Sequence, residues 1–97
     1  MQELSEEAVR TLYPDPAVHR ISRGEYPPGT SYAGTLAVPG TAFVLSGSCR
    51  YVMEKGEIAL SKGDFAELPR GAYMFYANGD EGAQVVRVYK IPEPLPL

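Results

Sequence analysis

The sequence predicts an all-β domain, a sandwich or barrel of short strands preceded by one short helix. From Ala17 onward, short runs rich in Val, Tyr, Phe and Ile alternate with Gly/Pro punctuation. That texture is the signature of strands joined by tight turns. Before Ala17, "LSEEAVRTLYPDP" instead places apolar residues at helical spacing and stops at prolines. A chain of 97 residues makes one domain near the lower size limit for a core without staples.

The helix is specified at both ends. Ser5 is a suitable N-cap, and Glu6 and Glu7 place negative charge where the helix dipole favours it. Leu4 and Val9 have the spacing of a hydrophobic staple. Ala8, Val9, Leu12 and Tyr13 share one face, which predicts a helix covering one end of a sheet. The expected division is helix and linker over 1–16, β-barrel over 17–91 and an extended tail over 92–97.

Within the barrel region the runs are "AVHRIS", "SYAGTLAV", "TAFVLS", "CRYVM", "EIALS", "DFAEL", "YMFYA" and "QVVRVYKI", about eight strands. Lys55-Gly56 between two of them reads as a hairpin turn that needs positive φ. In the tail, Pro92, Pro94 and Pro96 cannot donate to a ladder, so it is expected to lie extended.

Composition narrows the partners. A hydrophobic fraction of 44% argues against disorder. Net charge −3 without any Lys/Arg cluster argues against nucleic acid or an anionic membrane as the main partner. The single cysteine, Cys49, cannot form an intramolecular disulfide. The opening "MQELSEEAVR" lacks the basic start and apolar run of a signal peptide. The longest apolar run, "AYMFYA", is too short to span a bilayer. A cytoplasmic protein is the expectation.

The stretch Thr41–Val88 resembles the cupin superfamily. Gly47 stands at the end of one strand, Gly56 turns a hairpin, and Gly63-Asp64 leads into "GDFAELPRGAYMFYAN". There Gly63, Pro69, Gly71 and Asn78 keep the spacing of the second cupin motif. The resemblance implies an antiparallel jelly roll, the cupin-like double-stranded β-helix, with a short N-terminal helix. It also implies pairing into a homodimer, which open sheet edges and a small chain favour as well.

The family's metal ligands are missing. The histidine position of the second motif is Met74. If Gly47 closes the first motif, its glutamate position falls on Gly40. Its histidine positions then fall on Gly34 and Leu36, or on Ala33 and Thr35 with the longer spacer. The only histidine, His19, lies outside both motifs. A copper site from Cys49, Met74 and His19 lacks the second histidine that blue-copper centres use. The expectation is no metal and no other cofactor.

Strand alternation puts Met74 with Tyr76, and Cys49 with Tyr51 and Met53, each set on one face of its strand. A cavity lined by Met74, Tyr76, Tyr51 and Cys49 would suit a small organic ligand better than a cation. This reading is a metal-independent sensor, carrier or accessory protein. Met and Tyr are equally good fillers of a packed barrel. The alternative is a metal-free isomerase- or epimerase-like enzyme, with His19 or Glu67 as base and Tyr51 or Tyr76 as acid.

Overall fold

The computed structural model describes residues 5–77 and 79–91. Leu4 of the expected staple, Asn78 of the motif and the tail 92–97 lie outside them. Helix α1 spans Glu6–Leu12 and is capped as its sequence dictates. The Ser5 hydroxyl accepts from the Ala8 N–H at 3.1 Å, and Glu6 and Glu7 occupy the first turn.

Among the described residues seven strands follow: β1 (His19–Tyr26), β2 (Ser31–Leu36), β3 (Gly40–Met53), β4 (Gly56–Ser61), β5 (Phe65–Leu68), β6 (Gly71–Tyr76) and β7 (Ala83–Lys90). All pairings are antiparallel. One layer has the order β1-β7-β3-β5, the other β2-β6-β3-β4. Strand β3 belongs to both, and the two layers curl around it into a jelly roll. No helix among the described residues is long and apolar enough to cross a membrane.

The strand count differs from the expected eight because "TAFVLS" and "CRYVM" form one 14-residue strand. Gly40–Gly47 pairs with β7 and β5, whereas Ser48–Met53 pairs with β4 and β6. A register shift between Val44 and Ser46 turns the strand from one layer to the other. At the crossing Gly47 has φ 74, and a Cβ there would collide with the Gly82 carbonyl. Strand β1 also runs further than expected, taking in Arg23–Tyr26 before the Pro27-Pro28 turn. The β3–β4 turn consists of Glu54 and Lys55, and the positive φ falls on Gly56 alone.

Burial divides into two clusters. Inside the barrel lie Leu36, Ala42, Val44, Cys49, Tyr51, Leu60, Leu68, Phe75 and Val85. On the outside of the first layer, Val9 of α1 covers Phe43, Val86 and Val88. The helix therefore seals the outer face of the layer, and β7 is buried on both faces.

Candidate functional site

On β7 the side chains of Val85, Arg87 and Tyr89 face the interior, while Val86 and Val88 face α1. Arg87 is accordingly only 7% exposed, at the centre of the barrel. Three phenols surround its guanidinium. Nε donates to the Tyr51 hydroxyl at 3.1 Å, Nη1 to Tyr26 at 2.5 Å and Nη2 to Tyr32 at 2.6 Å.

Sheet register brings these rings together from four strands. Tyr51 on β3 stands opposite Phe75 on β6, and Phe75 stands opposite Tyr32 on β2. Tyr26 comes from the end of β1, with its ring 4.7 Å from that of Phe75. The guanidinium carbon lies 5.2 Å from the Tyr26 ring and 5.5 Å from Phe75, within cation–π range. Two further tyrosines lie flat against glycines of neighbouring strands. A Cβ on Gly34 would come within 2.5 Å of the Tyr73 ring, and one on Gly40 within 2.7 Å of Tyr89. Such glycines leave room for large rings inside a narrow barrel.

The electrostatics of the cluster are unusual. The ion pairs among the described residues are Arg10–Glu6, Arg23–Glu25 and Arg50–Glu57, all at the surface. Arg87 joins none of them. Burial opposes its charge, but interactions with Tyr51, Tyr26 and Tyr32 more than offset this and hold it protonated. Burial raises the phenols of Tyr32 and Tyr51 above their ordinary range against the pull of Arg87. Burial likewise pushes the Cys49 thiol up to about 11, with Arg87 pulling the other way. At neutral pH the raised phenols of Tyr32 and Tyr51 and the Cys49 thiol are uncharged and bring no negative charge to match that of Arg87.

The structure divides the residues singled out in the sequence. Tyr51 and Cys49 face the interior, where they are fully buried. Met74 and Tyr76 do not join them. Met74 pairs with Ala33 and Val52, and Tyr76 with Ser31 and Arg50, all on the outer face of the second layer. The Arg50 guanidinium covers the Tyr76 ring at 4.6 Å and pairs with Glu57 at 2.9 Å. The interior positions of β6 fall instead to Tyr73 and Phe75, followed by Ala77 just past its end. Alternation correctly separated the two sets, but the face was assigned by the motif. Pairing of Phe75 with Tyr51 and Tyr32 decides it the other way.

His19 and Glu67 stand on the outer face of the first layer, in register with Lys90 and Thr41. They line one shallow groove with Tyr13, Thr41 and Val88. The His19 ring packs edge-on against Tyr13 at 4.9 Å. The barrel wall lies between this groove and Tyr51, and Tyr76 is on the opposite layer. The expected pairing of His19 or Glu67 with either tyrosine is therefore not made.

The residues present do not fit the metal that the fold suggests. Among the described residues no three His, Cys, Asp or Glu side chains come together. Gly34 and Leu36 face inward without donor side chains, and the interior already holds a guanidinium whose charge repels a second cation.

Arg87, Tyr26 and Tyr32 were missed in the sequence, although a signal existed. In "QVVRVYKI" valines occupy both alternating faces, which marks a strand covered on both sides. An arginine there is buried whichever way it points and needs acceptors, and tyrosines were the abundant candidates.

No family model matches the sequence, and no curated protein matches it. Solved structures do. A cupin superfamily protein from Desulfitobacterium hafniense superposes with a TM-score of 0.66 at 16% identity, covering 77% of this chain and 69% of its own. A protein of unknown function from Rhizobium leguminosarum matches with a TM-score of 0.65 at 23% identity, covering 96% and 98%. A sugar phosphate isomerase from a cupin superfamily, from Silicibacter pomeroyi, matches with a TM-score of 0.63 at 18% identity. That match covers 77% of this chain and 52% of the isomerase. The chain has the cupin fold.

Proposed function

We propose that this cupin-fold protein binds a small organic molecule inside its barrel, as a metal-independent sensor, carrier or accessory protein. The buried Arg87–tyrosine cluster carries the reading. Replacing buried charged groups by apolar side chains of similar volume often stabilises a protein. A lone guanidinium at the centre of the barrel is a cost that packing alone does not explain. The phenols of Tyr26, Tyr32, Tyr73 and Tyr89 are half-buried rather than sealed. They offer aromatic walls and hydroxyls together, the lining of a small-molecule site. Native mass spectrometry of protein taken gently from cells tests the proposal. A bound organic species that is lost on Arg87→Gln is the expected result. A bare polypeptide mass, with no thermal shift across a broad metabolite panel, overturns it.

The same reading takes the protein as a homodimer. Phe65 on edge strand β5 is 66% exposed and stacks on Phe43 at 5.6 Å, extending the apolar outer face of the first layer. Sedimentation equilibrium is expected to give a dimer, and Phe65→Asp a monomer. A monomeric wild-type protein rejects the assignment.

A further inference from the structure

We propose that the outer edge of the Arg87 guanidinium is a carboxylate-binding site, with the Tyr26 and Tyr32 hydroxyls at the two positions that carboxylate oxygens would take. The inference rests on the barrel-binding reading and names its ligand class.

Three observations carry it. First, Nη1 and Nη2 each donate to a separate phenol oxygen, Tyr26 and Tyr32, at 2.5 and 2.6 Å. Acceptor oxygens on both terminal nitrogens mark the guanidinium edge that a carboxylate takes in a bidentate arginine–carboxylate pair. Tyr51 on Nε fixes the plane of the guanidinium from the third side.

Second, the charge is unmatched. Phenol hydroxyls accept from three of the five guanidinium N–H groups but bring no full negative charge to a site shared with Phe75, Cys49 and Val85. One monocarboxylate would neutralise the guanidinium, whereas a neutral ligand would not. A buried charge is stabilised far better by an opposite charge than by dipoles alone.

Third, side chains rather than a backbone ladder cover this edge of the guanidinium. Strands β1 and β2 are the outer strands of their layers, and no strand pairing joins them among the described residues. Tyr26 and Tyr32 come from these two strands, with ring centroids 5.8 Å apart and both rings half-buried. They close the seam between the layers with side chains rather than with a backbone ladder. Rotation of two phenols exposes the guanidinium edge without breaking a strand pair. The carboxylate then lies on Nη1 and Nη2, and its organic tail packs on Phe75 and Tyr73.

The test is titration of nitrogen-labelled protein, at constant ionic strength, with benzoate and butyrate and their neutral partners benzamide and butyramide. The Arg87 Nε–H resonance, identified by its loss in Arg87→Gln, is the reporter. Both carboxylates are expected to shift it saturably and to raise the melting temperature, and the amides to do neither. In Tyr26→Phe/Tyr32→Phe the competing hydroxyls are gone, so carboxylate affinity is expected to rise by about tenfold. A merely structural cluster would lose stability in that variant without gaining affinity. Equal binding of amides and acids overturns the carboxylate inference while the barrel-binding reading stands. Silence of both carboxylates, in the wild type and in the double variant, also overturns it. The barrel-binding reading is then decided separately by the native mass spectrum.

Discussion

At the residue scale, β6 shows how much depends on which face of a strand is inward. Phe75 is fully buried between Tyr51 and Tyr32, whereas Met74, one residue away, packs outside against Ala33 and Val52. Phe75→Ala is expected to cost about 3–5 kcal/mol, as large-to-small changes in cores do. Met74→Ala is expected to cost less than about 1 kcal/mol, the range of surface changes. Urea unfolding of the two variants checks this, and equal losses would refute the assignment of faces. Tyr51→Phe probes the cluster itself. It removes only the oxygen that accepts from Arg87 Nε, leaving a buried donor unmatched at a cost of about 1–3 kcal/mol. The same measurement reads it.

At the element scale, legibility followed from how local the determinants were. Helix α1 could be read because its cap, its first-turn acids and its proline stop all lie within the segment. The strands could be read as strands, but β3 was cut in two because a glycine in a strand usually marks its end. Gly47 is instead where one strand changes layers, a fact fixed by the approach of the Gly82 carbonyl 35 positions away. The inward face of β6 was likewise set by partner strands. The Arg87 site needs residues from β1, β2, β3 and β7 at once, so no local pattern contains it. Gly47→Ala tests the crossing. It forces a Cβ into positive φ and against a backbone oxygen, and its expected cost exceeds about 1 kcal/mol. Hydrogen exchange should show the loss at the Ser48 amide, which donates to Gly82 at 3.1 Å. Unchanged protection there would argue that the crossing relaxes freely.

At the scale of the whole molecule, the interior cluster makes stability depend on alkaline pH. Tyr32 and Tyr51 start from an ordinary value of 10.0 and are raised mainly by burial, as Tyr89 also is. Cys49 rises from 9.0 to about 11 for the same reason. Above their ordinary values these groups ionise in the unfolded chain but stay protonated in the fold. The unfolded state then binds fewer protons, so stability falls as pH rises. The contribution is complete below about pH 9, Cys49 begins the loss, and the tyrosines join it near pH 10. Each such group adds a slope of about 1.4 kcal/mol per pH unit while it differs between the two states. Arg87 stays charged throughout this window, so it does not reverse the sign. Urea midpoints measured from neutral pH upward should stay level and then drop steeply, with part of the phenolate absorbance appearing only as the protein unfolds. Tyr51→Phe should flatten the drop by one group's share. A midpoint that stays level well above pH 10 would show that the Tyr32 and Tyr51 phenols ionise within the folded barrel. Solvent would then already reach the guanidinium, and the seam between β1 and β2 would be open rather than closed by Tyr26 and Tyr32.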